Sequence, residues 1–143
     1  MGFLVQDIVP ISSTGPTVLI PSSKDLVVKV FQVLRTDTTA SVKCVLPADA
    51  SIIGMEIFGA ASDAGTSASI SVGTTSTANE IISAQDVKTE GGCIRPTTSW
   101  STDYPNTEPR PLVGDLSLYA KYTEAGTAST AGGPYKIVVY YVR

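Results

Sequence analysis

A two-residue period constrains this chain more than any other feature. Over residues 135–142, Tyr135, Ile137, Val139 and Tyr141 fall on one side of an extended backbone, and Lys136, Val138, Tyr140 and Val142 fall on the other. Successive side chains of a β-strand point to opposite faces, so both faces of this strand are at least partly covered. In residues 116–123 the same period sets Leu118, Ala120 and Tyr122 against Ser117, Tyr119, Lys121 and Thr123, which reads as one apolar and one mostly polar side. Further strands are expected over 26–34, 41–46, 51–58, 67–72 and a short 80–83, with apolar pieces at 3–9 and 17–20. No window gives a helical face. Eight or nine short strands divided by Gly, Pro, Ser and Asp predict an all-β antiparallel sandwich or barrel.

Cys44 alternates with Val42 and Leu46, which predicts an inward strand position where Cys acts as a small hydrophobe. Two cysteines, Cys44 and Cys93, make no disulfide framework, and reduced thiols in a protein made in the cytoplasm are the plainer expectation. Two long turns share their chemistry: Asp63-Ala-Gly-Thr-Ser-Ala-Ser and Glu124-Ala-Gly-Thr-Ala-Ser-Thr. Gly65 and Gly126 are placed to supply the positive φ of a hairpin tip.

Two segments depart from the pattern. Residues 91–114 carry Pro96, Pro105, Pro109 and Pro111 with Trp100 and Tyr104, and proline removes ladder donors, so an irregular excursion is expected. Residues 1–21 mix apolar residues with Pro10, Gly15, Pro16 and Pro21 and read as an arm or an edge strand. The expected organisation is thus an arm over 1–21 and a β-sandwich domain over 22–143, with the Pro-rich loop at 91–114.

Composition narrows the function. Charged residues make up 16% of the chain, below the roughly 25% of soluble domains, while 17 Thr and 16 Ser supply much of the polar surface. A charge-poor surface resembles the core of protein–protein interfaces. The net charge is −3 and the basic residues are scattered, so no nucleic-acid partner is expected. No apolar run approaches membrane-spanning length, and the first nine residues have no basic leader, so neither membrane nor cleaved signal is expected.

The chain contains no histidine, which removes the usual Ser-His-Asp and Cys-His nucleophiles and most zinc sites. Its glycine spacings match neither nucleotide-binding fingerprint. Asp103 and Glu108 flank the aromatic loop as a glycosidase pair would, but solvated loop charges are the plainer reading. Asp63, Asp86, Glu90 and Asp115 carry calcium-type oxygens without any motif to unite them, so turn formation is expected of them. No catalytic residue, cofactor or metal is therefore assigned. Trp100 and Tyr104 suit either an interface anchor or a loop folded onto its own sheet.

Several stretches taken together resemble the head decoration, or cement, proteins of tailed bacteriophages. They are Ala50-Ser-Ile-Ile-Gly-Met-Glu-Ile-Phe-Gly-Ala-Ala-Ser-Asp-Ala-Gly-Thr-Ser-Ala, Ser69-Ile-Ser-Val-Gly, Asp86-Val-Lys-Thr and the ending from Thr130 to Arg143. The resemblance covers residues 50–143 and lies in texture rather than in one motif. It implies a jelly-roll-like sandwich of about eight strands, dimers or trimers of the chain itself, and binding across seams between major capsid protein subunits on the virion exterior. Interface candidates come from the residues themselves: Phe3, Leu4, Val5 and Ile8 in the arm, and Trp100, Tyr104, Pro105 and Arg110 in the loop. The alternative expectation is a carbohydrate- or receptor-binding module of a phage tail, using Trp100, Asp103 and Tyr104.

Overall fold

The computed structural model describes residues 25–95 and 112–143. Eight strands occupy them: β1 (Leu26–Val33), β2 (Ser41–Leu46), β3 (Ser51–Gly59), β4 (Ser67–Gly73), β5 (Ile82–Asp86), β6 (Gly92–Ile94), β7 (Leu116–Ala125) and β8 (Tyr135–Val142). They form two four-stranded sheets, ordered β1-β8-β3-β6 and β2-β7-β4-β5, with every pairing antiparallel.

The pairings explain the architecture. β1 pairs with β8, β2 with β7, β3 with β6 and β4 with β5, so the chain is one long hairpin closed at its β4–β5 turn. Rolling that hairpin brings β3 against β8 and β4 against β7, which completes both sheets. This winding is the jelly roll.

Alternation places the core between the sheets. The first sheet sends in Phe31, Val33, Met55, Ile57, Tyr135, Ile137, Val139 and Tyr141, and the second sends in Leu46, Ala68, Ile70, Val72, Leu118, Ala120 and Tyr122. Tyr122 and Tyr135 stack across the interior with ring centroids 6.0 Å apart and planes 16° from parallel. Along the β1–β2 side, Lys29 Nζ donates to the Val45 carbonyl oxygen at 2.6 Å. An inward-placed lysine on an edge strand discourages pairing with a further sheet.

Three local expectations are corrected. The register of β2 on β7 shifts between Val42 and Cys44, because Lys43 is the extra residue of a bulge. Cys44 and Leu46 stay on the core side, while Val42 turns outward and is 47% exposed. The strand expected at 80–83 runs instead from Ile82 to Asp86. Glu80 is withdrawn from it because its carboxylate accepts the Thr74 and Asn79 amides and the Thr75 and Thr77 hydroxyls, closing the loop between β4 and β5. Finally, the segment expected to be irregular from residue 91 opens with β6, whose three residues pair with β3.

Candidate interaction surfaces

The two outer faces of the sandwich differ in chemistry. On the first sheet the outward positions of β1 are Leu26, Val28 and Val30, exposed by 60%, 48% and 57%. Opposite them β8 presents the half-buried Val142, Tyr140 and Val138, and β3 adds the bulged Ile53 and Phe58. Charge on this face is sparse. Glu56 is tied to Arg95 at 2.5 Å and accepts the Tyr140 hydroxyl at 2.7 Å, and that hydroxyl, ahead of the opposing burial, holds the Glu56 carboxyl below its ordinary range. Exposed Lys136 stands at the far end, opposite Gln32.

The outer face of the second sheet is richer in hydroxyls. Its outward positions include exposed Ser67 and half-buried Ser69 on β4, and Ser117, Tyr119, Lys121 and Thr123 on β7, beside exposed Val42 and Val45 on β2, while Ser71 is buried with its hydroxyl accepting the Ala84 amide at 3.1 Å. A contiguous apolar face is expensive to leave in water, whereas a serine and threonine face is well hydrated. The first sheet therefore carries the stronger interaction surface.

A second feature lies at one end of the roll, where the two Ala-Gly-Thr turns meet. Each is a crossing between sheets rather than a hairpin tip: one joins β3 to β4 and the other β7 to β8. The Gly65 amide donates to the Thr127 carbonyl at 2.8 Å and the Thr66 amide to the Ala125 carbonyl at 2.9 Å. Gly126 has φ of 85°, as expected of it. Gly65 has no positive φ; it is needed because a Cβ there would lie 2.4 Å from the Thr127 nitrogen.

Carboxylates lock this end. Asp63 accepts the Ala131 and Thr130 amides, both at 2.8 Å, and the Thr130 hydroxyl at 2.7 Å. Those donors, led by the Ala131 amide, pull its pKa down to about 2. Glu124 accepts the Ser129 amide at 3.1 Å and the Tyr122 hydroxyl at 2.9 Å. The Ser62 hydroxyl bonds Tyr122 at 2.7 Å, while Arg35 donates to the Ser129 carbonyl. Leu34, Arg35, Thr36, Glu124, Ser129, Gly132 and Pro134 line an open cleft of about 430 Å³ here. Ser129 engages both its acid and its base, so these charges hold the crossing loop in place.

The carboxylates considered as calcium ligands are spread over separate turns. Asp86 caps the amides of Lys88 and Thr89, Asp115 accepts the Ala48 amide at 3.0 Å, and Glu90 accepts Gln85 Nε2 at 3.2 Å. Among the described residues no group of three or more His, Cys, Asp or Glu is placed to hold a metal ion. Cys44 and Cys93 are free thiols on different sheets, the first half-buried and the second exposed. The sequence candidates Phe3, Leu4, Val5, Ile8, Trp100, Tyr104, Pro105 and Arg110, together with Asp103 and Glu108, lie outside the described residues. Sequence reasoning missed the apolar outer face, although its signal was present: β1 is apolar on both alternating sets, and a sandwich strand has one core face.

Comparison with solved structures gives the fold a wider setting. The chain is similar to a chain of the cyanophage Pam1 capsid asymmetric unit, with a TM-score of 0.59 and 18% identity over 92% of this chain and 95% of that one. It is also similar to a chain of the capsid of Ralstonia phage GP4, with a TM-score of 0.55 and 18% identity over 87% of this chain and 88% of that one. At such identity the shared property is the fold. No protein family matches the sequence, and no curated protein matches it significantly.

Proposed function

We propose that this chain is a virion structural protein that binds the outer surface of a phage capsid and stabilises it by bridging major capsid protein subunits. The observation that carries this reading is the nearly end-to-end agreement of its jelly roll with chains from two phage capsids. Such agreement makes the sandwich the unit that this chain shares with them. The apolar outer face of the first sheet supports an adhesive role, since a protein that works by contact needs surface that gains from leaving water.

The mechanism is linkage. A protein that binds the assembled shell and not its separated subunits stabilises the shell by mass action, without performing chemistry. Rigidity favours this, because a jelly roll with locked crossing loops loses little conformational entropy on docking. The test is to add purified protein to capsids from which it has been removed. Saturable binding with a raised temperature of shell disruption is expected; no binding overturns the proposal.

A further inference from the structure

We propose that the cleft at the Asp63 end of the roll binds a neutral saccharide, an activity separate from any capsid contact. The cleft lies between the β1–β2 turn and the β7–β8 crossing and measures about 430 Å³. Small-molecule sites occupy roughly 300–1,000 Å³. Two charged side chains set its chemistry, and both are anchored on Ser129. Arg35 Nη1 donates to the Ser129 carbonyl and lies 3.4 Å from the Ser129 hydroxyl, while Glu124 Oε2 accepts the Ser129 amide at 3.1 Å and the Tyr122 hydroxyl at 2.9 Å. Among the described residues, Arg35 Nε and Nη2 and Glu124 Oε1 have no hydrogen-bond partner. Each charged group is therefore fixed by one of its atoms and keeps others for a ligand. Fixing them beforehand lowers the ordering cost of binding.

The lining selects the ligand class. A cation and an anion in one cleft favour a ligand with no net charge, and they call for a molecule that accepts at one point and donates at the next. Adjacent hydroxyls of a sugar ring do both. Exposed Thr36 adds a hydroxyl, and Leu34, 45% exposed, joins exposed Pro134 in offering apolar surface to the C–H face of a ring. A peptide has neutral donors and acceptors too, but it docks most readily where a strand edge offers a ladder, and this cleft is walled by a turn and a crossing loop. The chain outside the described residues joins them away from this end. Asp25 pairs with Arg143 at the opposite end of β8, β6 runs from its pairing with Gly59 toward Ile57, and the Leu112 amide bonds the Ala50 carbonyl just before β3.

Nuclear magnetic resonance titration of the full-length, nitrogen-labelled chain tests this. The probes are the methyl glycosides of glucose, galactose, mannose and N-acetylglucosamine with their disaccharides, and an acetylated, amidated trialanine as the peptide control. Amide shifts confined to residues 34–36 and 124–133 are expected for at least one sugar, saturating with a Kd of about 1 mM or tighter. Thr36→Trp fills the cleft without touching the Ser129 anchors and should abolish those shifts while the denaturant midpoint stays unchanged. Arg35→Gln should weaken them at least tenfold. No sugar shifting these amides, shifts from the peptide alone, shifts centred elsewhere, or binding that survives in a folded Thr36→Trp variant each overturns the inference. None of these readouts uses a capsid, so this inference and the capsid reading stand or fall separately.

Discussion

At the scale of single residues, the interior offers two tyrosines of opposite consequence. Tyr122 is fully buried, and its hydroxyl joins Ser62, Glu124 and Ser129. Tyr122→Phe strips buried polar groups of a partner and should cost about 1–3 kcal/mol in a denaturant melt. Among the described residues the equally buried Tyr135 hydroxyl has no well-formed hydrogen bond, and neighbouring Ser62 bonds Tyr122 instead. Tyr135→Phe removes a desolvated hydroxyl with nothing to lose and should leave stability unchanged or raised. Burial pushes the Tyr135 phenol up to about 12, so the neutral form is favoured in the folded state. Its share of stability is present below the ordinary tyrosine value of 10 and is lost as pH climbs from 10 toward 12. The acid limb has the opposite sign. Asp63 and Glu80 both sit at about 2 when folded, Asp63 through amide donors and Glu80 through threonine hydroxyls and amides that outweigh its burial. Their ordinary values are 3.8 and 4.5, so their contribution is intact above those values and fades as pH falls toward 2. The melting temperature should drop over that interval, and Asp63→Asn should flatten part of the drop.

At the scale of elements, the crossing loops at the Asp63 end are held by close backbone approach. Gly126→Ala would place a Cβ at φ of 85° and 2.5 Å from Thr66 Oγ1. Combined strain and clash should cost about 1–3 kcal/mol, read as a lowered denaturant midpoint. The same loops show what alternation reveals and what it hides. The bounds of β2 and β8 were legible to the residue, because clear turns flank both and the side chains of β8 alternate over all eight positions. β6 was not, because three residues cannot display a period, and the bulge at Lys43 was not, because only the partner strand defines an extra residue. The two Ala-Gly-Thr turns were visible as a shared solution, but their meeting depends on pairings between positions some sixty residues apart. The sequence candidates for interaction, from Phe3 to Arg110, lie outside the described residues, whereas the open apolar face rests on Leu26, Val28 and Val30. Those three were obscured because they alternate with Val27, Lys29 and Phe31, leaving inner and outer faces of β1 similar in polarity.

At the scale of the whole molecule, the sandwich is asymmetric: one outer face is apolar and the other is rich in hydroxyls. The central claim is that this jelly roll adheres to a phage shell and holds its subunits together. The most direct test incubates the purified chain with capsids stripped of it and follows both bound copies and the temperature at which the shell comes apart. The account predicts saturable binding in many copies per shell and a higher disruption temperature. Stripped capsids that take up no protein, or that take it up and come apart at the same temperature, would contradict it.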